Sequence, residues 1–276
     1  MRTAEFQKIV YAHYKKHGRK LPWRIKSGIR GSTSANRGRT SDSIFYRILV
    51  SEIMLQQTQV DRVVPKYHEF LKKFPTMRAL ARANRTDVLR AWQGLGYNRR
   101  AVWLHEIAKK LTGTHERGST SLRSRLNLAH FARTEELRKL KGIGSNTAAS
   151  ICAFAYNMPV IFIETNIRTV FLKYFFPYEK DVSDKDILKL IEKTLDKKNP
   201  RTWYWALMDL GSHIKRTEGN FNRTHSKHYA KQSKFEGSRR QLRGKILRDM
   251  LQGKKVSLKE KIHKEIAREL AAEGLV

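Results

Sequence analysis

The sequence contains a single cysteine, Cys152, and only 25 acidic residues against 57 lysines and arginines in a chain of 276 residues. One thiol cannot form a disulfide within the chain, and its neighbours Ile151, Ala153 and Phe154 predict a buried side chain. The sequence also lacks an apolar run long enough to cross a bilayer and shows no signal-peptide pattern. These absences exclude a disulfide-stapled fold and predict an intracellular protein, in the cytoplasm or nucleoid, that does not bind a membrane.

The excess of basic residues gives a formal net charge of +32. Such a charge repels itself unless a polyanion neutralises it, so nucleic acid is the expected partner, bound through its phosphates. An anionic membrane surface and a charge that only promotes solubility are the alternatives. Hydrophobic residues make up 40% of the chain, which is enough for a folded core in one or two domains.

A glycine-containing turn joins two helical patterns at residues 134–140 and 145–156. Gly142 and Gly144 permit a tight hairpin and leave backbone N–H groups exposed at the start of the second helix, where the helix dipole favours a phosphate. This arrangement is similar to the helix–hairpin–helix of DNA glycosylases, and the alternative is an ordinary helical corner. The residues that we predict to contact DNA here are Lys141, Gly142, Gly144, Ser145 and Thr147.

One carboxylate lies within an apolar helical stripe. The helical pattern runs from about residue 44 to 55, and its stripe consists of Phe45, Ile48, Leu49, Glu52 and Leu55. Burial there raises the pKa of a carboxyl group, so Glu52 could carry a proton at neutral pH. The alternative is a glutamate at the edge of the stripe that reaches water or pairs with an arginine.

Two polar or glycine-rich turns follow that helix. The run at residues 56–59 offers amide and hydroxyl groups that can bind or replace a base, and we predict DNA contacts by Gln56, Gln57 and Thr58. Gly94 and Gly96 permit a second tight turn. We predict that this turn presents Leu95 and Tyr97 outward as a wedge between base pairs while Arg99 and Arg100 bind phosphates. A solvated turn is the alternative for the first run.

A second acid, Glu164, follows an apolar segment and directly precedes a helical pattern that Thr165 or Asn166 could cap. Backbone N–H groups at that helix start would favour the ionised carboxylate and lower its pKa. The alternative is an acid that only caps the helix.

Basic residues are densest between residues 215 and 248, where aromatic residues interleave with them. This tract, which includes Lys227 and Lys231, is predicted to be a nucleic-acid-binding face, and a solvated loop is the alternative. Residues 25–40 and 114–130 are predicted to be loops.

Six motifs, in this order and spacing, resemble those of MutY-type adenine DNA glycosylases, which belong to the endonuclease III superfamily. They are Leu21-Pro-Trp-Arg24, Ser51-Glu-Ile-Met-Leu-Gln-Gln-Thr-Gln-Val60, Gly94-Leu-Gly-Tyr97, Leu140-Lys-Gly-Ile-Gly144, Glu164-Thr-Asn166 and Met208-Asp-Leu-Gly211. The resemblance covers about residues 5–215. It implies an all-α, two-domain fold with DNA in the cleft between the domains.

The resemblance also implies the extent of each domain. A six-helix barrel would span residues 41–160, with the helix–hairpin–helix at 134–156. Residues 1–40 together with 161–235 would form the second helical domain. Residues 236–276 would form a short basic helical tail, where full-length MutY proteins carry a domain that recognises oxidised guanine.

In this family a mispaired adenine is flipped out of the duplex and its N-glycosidic bond is hydrolysed. Glu52 matches the acid that protonates the leaving purine, Glu164 matches the aspartate that stabilises the sugar cation, and Asn166 matches the asparagine that supports it. The positions that match the base pocket are Arg19, Trp23, Arg24, Leu55, Asn146 and Trp205. Those that match residues contacting or replacing bases are Gln57, Thr58, Leu95 and Tyr97. The two acids lie in different environments, as a glycosidic acid and its charge partner require.

The sequence departs from the family pattern at four places. Glu164 is one methylene longer than the family's aspartate. Asn146 replaces the lysine that forms a Schiff base in endonuclease III, so we predict no lyase activity at abasic sites. Trp205 replaces the glutamate or glutamine that recognises the adenine edge, and its ring cannot make the paired contact of an amide.

The fourth departure concerns the iron–sulfur cluster of the family. At the spacing of its four cysteines the sequence has Lys215, Asn222, His225 and Lys231. We therefore expect no cluster, no metal and no other cofactor.

The leading hypothesis from the sequence is a monofunctional, monomeric DNA glycosylase of base excision repair. Its substrate would be double-stranded DNA in which adenine lies opposite oxidised guanine or guanine. Two alternatives stay open: a thymine or uracil mismatch glycosylase of the same superfamily, and a catalytically weak protein that binds mispaired or damaged DNA.

Overall fold

The computed structural model describes residues 1–24, 34–113, 133–231, 233–256 and 260–275, with their side chains except those of 34–42. Within these residues the secondary structure is helical, apart from one isolated bridge between Val182 and Ser226. The predicted all-α fold is confirmed. The helices are α1 Thr3–His17, α2 Ser34–Leu55, α3 Val60–Lys73, α4 Met77–Arg82, α5 Arg85–Trp92, α6 Arg99–Thr112, α7 Thr134–Arg138, α8 Ser145–Tyr156, α9 Thr165–Phe175, α10 Asp184–Thr194, α11 Pro200–Thr217, α12 Phe221–His225, α13 Arg239–Leu251 and α14 Lys261–Ala272.

The helices fall into two compact units. One unit contains α1 and α7 to α12, and its core is aromatic. Phe6 of α1 lies edge-to-face against Phe171 of α9 and Trp203 of α11, with ring centroids 5.3 and 5.8 Å apart. Such pairs add to the energy of burial, and they fix three helices that are far apart in sequence. We call this the aromatic unit.

The other unit contains α2 to α6, the turn Lys139–Ile143, and the C-terminal helices α13 and α14. Its core includes Leu49 of α2, Phe70 of α3 and Trp92 of α5, all of which are buried. Phe70 and Trp92 form an edge-to-face pair with ring centroids 5.9 Å apart. We call this the barrel unit, and the domain boundaries inferred from the family resemblance remain a prediction.

The structure corrects the predicted start of α2. This helix begins at Ser34, so the loop predicted for residues 25–40 is wrong over 34–40. The segment from Ser34 to Leu55 contains no proline, so no residue in it prevents the helix from extending back to Ser34. Residues 25–33 and the predicted loop at 114–130 lie outside the described residues.

Two predictions from composition can be compared with the structure. Cys152 is fully buried, which confirms the predicted burial of its side chain, and this burial raises the pKa of the thiol to about 11. Within the described parts of the chain, no helix is long and apolar enough to span a membrane.

Candidate functional site

Arg100 is the centre of the first group of candidate residues, in the barrel unit. The residue is 4% exposed, and its guanidinium donates hydrogen bonds of 2.5–3.4 Å to the end of α2 and the segments around it. The acceptors are the carbonyl oxygens of Ile53, Met54, Gln56, Leu95, Gly96 and Tyr97 and the hydroxyl of Thr58. Arg100 therefore joins the end of α2 to the turn at residues 94–97. Sequence reasoning predicted a phosphate contact here, but the side chain points inward.

The same group extends to the glycine hairpin. The amide of Gln56 donates to the carbonyl of Gly142 at 3.1 Å. Gly142 has a φ of +89°, and a Cβ there would lie 2.4 Å from the ring of Trp103. Glycine is thus required both by conformation and by space. The three turns carrying Gln56, Tyr97 and Lys141 belong to one connected structure.

This connected structure presents some predicted DNA-contact residues and hides another. Gln57 and Tyr97 both have left-handed backbones, with φ of +55° and +46°, and both are exposed. Leu95 is 2% exposed, so the prediction that it points outward is wrong. Gly94 and Gly96, with φ of +93° and +73°, turn the chain so that Leu95 enters the core and Tyr97 faces outward. Non-glycine residues with positive φ are uncommon and often mark functional turns.

Glu52 also lies in the barrel unit, on α2. Phe45, Ile48 and Leu49 of its stripe are buried, as predicted, while Glu52 and Leu55 are half-buried. Glu52 is therefore partly accessible at the edge of a buried apolar stripe.

The start of α8 has the form expected of an anion-binding helix terminus. Its N-cap is Gly144, which has no side chain to accept the first N–H groups. Ser145 and Asn146 are exposed and Thr147 is half-buried. A Cβ at Gly144 would have no atom within 4 Å, so the space beside this residue is open. A phosphate can therefore approach these N–H groups closely.

In the aromatic unit, Asp209 of α11 organises the predicted base-pocket arginines. Its carboxylate accepts from Arg19 Nε at 2.6 Å and from both terminal nitrogens of Arg24 at 2.6 and 2.7 Å. Its side chain is 1% exposed. Burial raises the pKa of Asp209, but Arg24 and Arg19 outweigh that effect and hold it below the ordinary value. Sequence reasoning did not select Asp209, although it lies in the Met208–Gly211 motif.

The tryptophans predicted for the base pocket are packed in the aromatic unit. Trp23 and Trp205 are each 4% exposed. Trp205 stacks on Phe154 with ring centroids 6.0 Å apart, and the Arg24 guanidinium lies 5.6 Å from its ring centre. The Trp205 ring is therefore packed in the core. A glutamate or glutamine at this position would instead offer polar atoms to a base.

Glu164 is the N-cap of α9. Its Oε1 accepts from the backbone N–H groups of Asn166 and Ile167 at 2.9 Å, and its Oε2 accepts from Asn166 Nδ2 at 3.2 Å. The prediction that Thr165 or Asn166 caps this helix is wrong, because the Glu164 side chain itself accepts from the first free N–H groups of the helix. Asn166 does contact the acid that it was predicted to support.

The pKa of Glu164 is raised, which corrects the prediction of a lowered value. Burial of the carboxyl group is the largest cause. The two N–H groups, and then Arg168 and Arg19, favour the ionised form but only partly oppose burial. The helix start was visible in the sequence, whereas the depth of the carboxyl group was not.

Gly211 explains how α11 approaches this acid. A Cβ at Gly211 would lie 2.0 Å from the Asn166 carbonyl oxygen and 2.6 Å from its carbonyl carbon. Only glycine allows α11 to pack against the first turn of α9. The motif glycine and the motif asparagine are thus in direct contact.

The residues at the family's cluster positions do not fit an iron–sulfur cluster. Asn222 is buried and donates to the Thr165 carbonyl at 3.2 Å and to Thr169 Oγ1 at 2.6 Å. His225 Nε2 lies 3.2 Å from the Pro177 carbonyl oxygen. Among the described residues, no group of three or more His, Cys, Asp or Glu could hold a metal. Hydrogen bonds therefore fix this segment.

Lys227 and Lys231, the predicted DNA contacts of the basic tract, are exposed. The backbone N–H of Lys227 donates to the Val182 carbonyl at 3.2 Å, and Val182 N–H donates to the His225 carbonyl at 2.8 Å. These bonds hold the tract beside the start of α10.

The helices of the described residues and the glycine hairpin that joins α7 to α8 define a helix–hairpin–helix protein. Comparison with family models identifies the family. Residues 50–197 match the HhH-GPD superfamily of base excision DNA repair proteins. This match covers more than half of the chain, and the chain belongs to that superfamily.

Curated relatives agree with the branch of the family seen in the motifs. The adenine DNA glycosylase of Buchnera aphidicola subsp. Baizongia pistaciae is 32% identical over 219 residues, which cover 78% of this chain and 54% of the relative. That of Mycolicibacterium smegmatis is 34% identical over 197 residues, covering 71% and 58%. The chain thus spans little more than half the length of these relatives.

Solved structures share the fold at low sequence identity. A thermostable thymine-DNA glycosylase aligns with a TM-score of 0.57 at 18% identity, over 82% of this chain and 96% of that one. A non-covalent complex of endonuclease III with DNA aligns with a TM-score of 0.55 at 12% identity, over 82% and 96%.

Proposed function

We propose that the chain is a monofunctional DNA glycosylase that hydrolyses the N-glycosidic bond of adenine mispaired with oxidised guanine or guanine. The observation that carries this proposal is the pair of acids, Glu52 on an apolar helix face and Glu164 on a helix start, in a chain whose curated relatives are adenine DNA glycosylases. Duplex DNA is the proposed partner, and the protein acts as an intracellular monomer.

Glu52 is the proposed general acid. Departure of a purine from its sugar is easier when a proton reaches the base, because the leaving group is then neutral. A carboxyl group at the border of a buried apolar stripe can keep its proton near neutral pH once DNA covers it.

Glu164 is the proposed electrostatic partner. Its ionised carboxylate stabilises the positive charge that develops on the sugar as the base departs. Burial makes that carboxylate unfavourable even with Arg168 and Arg19 nearby, as its raised pKa indicates. A cation that forms beside it therefore gains more than it would in water. Asn166, which donates to Oε2, orients the group.

The DNA-facing elements are the turns held by Arg100 and the start of α8. We propose that Gln57 and Tyr97 enter the base stack, that the α8 terminus binds a phosphate, and that Lys227 and Lys231 bind the backbone. Asn146 at that terminus has no amine for a Schiff base. We therefore propose that the enzyme does not cleave abasic sites.

Glu52→Gln tests the proposal most directly. Glutamine keeps the shape but cannot deliver a proton, so single-turnover release of the base should fall by about 100-fold or more while duplex binding stays close to that of the wild type. Glu69→Gln, at a side chain that is 60% exposed, is the matched control and should keep the wild-type rate. Retention of most activity by Glu52→Gln would remove Glu52 from the mechanism.

A second candidate function follows from two features of the aromatic unit. Trp205 is buried where the family reads adenine, and Glu164 is committed to capping α9. Both favour a protein that recognises a mispair with weak or altered chemistry. Base release from a panel of single-mispair duplexes separates the candidates. Release of adenine supports the proposal, release of thymine or uracil supports a pyrimidine mismatch glycosylase, and tight binding without release supports a binding protein.

A further inference from the structure

Helices α13 and α14 lie outside the residues matched by the family model, yet they pack within the barrel unit. Ile246 and Leu247 of α13 and Ile266 and Leu270 of α14 are buried. The carbonyl of Leu251, at the end of α13, accepts from Arg90 of α5 at 3.1 Å. The pair is therefore a built part of this unit.

The charges of α13 are divided between two sides of the helix. Arg239 and Arg243 are neutralised by α14, since Arg239 lies 2.5 Å from Glu269 and Arg243 lies 2.5 Å from Glu273. Lys245 and Arg248 are exposed and have no acidic partner among the described residues. At about 100° per residue, these two lie on the opposite side of the helix from Arg239 and Arg243.

Arg240 lies between these two sides of α13 and contacts the proposed wedge. Its guanidinium lies 3.4 Å from the hydroxyl of Tyr97 and donates to the Ser233 carbonyl at 2.7 Å. From Arg240 to Arg248 the helix rises by roughly 12 Å, about the rise of three to four base pairs along duplex DNA. Cations without an acidic partner among the described residues thus occur from the Tyr97 contact to near the end of the helix.

We propose that α13 is a second DNA-contacting element, in which Arg240, Lys245 and Arg248 bind the phosphates that flank the step entered by Tyr97. Acids on and just after α14 neutralise Arg239 and Arg243, so the unneutralised basic charge lies on the remaining sides of α13. This inference rests on the proposed function, because it takes a DNA duplex as the partner. Charge complementarity and the contact with Tyr97 favour duplex DNA over an acidic protein.

The test compares two double variants that remove equal charge. Lys245→Ala/Arg248→Ala should make the slope of log K against log salt shallower by about 1.8, since each phosphate contact contributes about 0.9. Extrapolated from 1 M, that corresponds to up to about 60-fold weaker binding at 0.1 M salt. The control, Lys185→Ala/Lys189→Ala on α10, removes exposed lysines elsewhere and should leave the slope unchanged. Circular dichroism spectra at the temperature of the binding measurements check that both variants fold.

The outcomes separate this inference from the proposed function. If the wild type binds duplex DNA and the α13 variant behaves like the α10 control, the inference is wrong and the glycosylase proposal stands. If the slope changes as expected but no mispair releases a base, α13 binds DNA and the proposed chemistry fails. The variant Lys245→Arg keeps the positive charge and should keep the wild-type slope. A shallower slope in this variant would indicate a role other than phosphate binding and would overturn the inference.

Discussion

Arg100 in the barrel unit and Asp209 in the aromatic unit are both almost fully buried, at 4% and 3% exposed. Arg100 is surrounded by neutral carbonyl oxygens, and burial lowers its pKa to about 10. Asp209 is bound by two guanidinium groups, and its pKa is lowered. The Arg100 cation holds its neighbouring segments through hydrogen bonds to neutral carbonyl groups. The Asp209 carboxylate holds two arginines by the attraction of opposite charges.

The comparison shows two uses of a buried charge. The carbonyl groups that Arg100 binds carry no formal charge, so its positive charge is not cancelled near the turns that we propose to contact DNA. Asp209 cancels one of two positive charges, so its cluster also remains positive. Loop geometry depends on Arg100, whereas the placement of Arg19 and Arg24 depends on Asp209.

The largest expected effect comes from breaking the ion-pair cluster. Asp209→Ala should lower the free energy of unfolding by about 3–5 kcal/mol, because it leaves Arg24 buried without a counter-charge. Urea denaturation measures this loss. Asp184→Ala, which breaks the more exposed Arg168–Asp184 pair, should cost only about 1 kcal/mol or less. Equal losses in the two variants would show that burial does not set the value of the Asp209 cluster.

Replacing the other buried charge should cost less. Arg100→Met should lower the free energy of unfolding by about 2–3 kcal/mol, since the carbonyls of both loops lose their donor but relax towards water. Arg100→Lys keeps the charge yet cannot reach both loops at once, so it should recover only part of that loss. If the lysine variant recovers it all, the charge rather than the fork of donors holds the loops.

Gly211→Ala tests the contact that positions α11 beside Asn166. Its Cβ would overlap the Asn166 backbone, so the free energy of unfolding should fall by about 1–3 kcal/mol and single-turnover base release should fall with it. Gly144→Ala, where the added Cβ meets open space, should lower the free energy of unfolding by about 1 kcal/mol or less, through the weaker N-cap alone. Equal effects at the two glycines would contradict the close approach.

The smallest effect is a pH dependence at Glu164. A raised pKa in the folded protein means that the stability contributed by the protonated acid is present below the unfolded pKa and is lost as pH rises through the folded pKa. Glu164→Gln should therefore gain stability relative to the wild type as pH increases above about 4.3, the ordinary carboxyl value. Thermal melts at several pH values measure the difference, with the exposed Glu192→Gln on α10 as background.

If the stability of Glu164→Gln relative to the wild type instead falls as pH rises, the helix N–H groups have a larger effect than burial on the pKa of Glu164. The same glutamine variant should lose base release, because a neutral amide cannot stabilise the sugar cation. Stability and activity would then change in opposite directions, as expected where a functional group is held at a cost to the fold.

The sequence by itself determined the helical class, the family motifs, the hairpin glycines and the bounds of α8, since these depend on local periodicity and on residues close in the chain. Tertiary structure decided the rest. Arg19 and Arg24 reach Asp209 across 190 and 185 residues, and Arg100 reaches α2 across 46 and 47 residues. Leu95 turned inward, and burial reversed the expected pKa shift of Glu164. Burial depends on every segment that packs around a group, so no local pattern could have given either result.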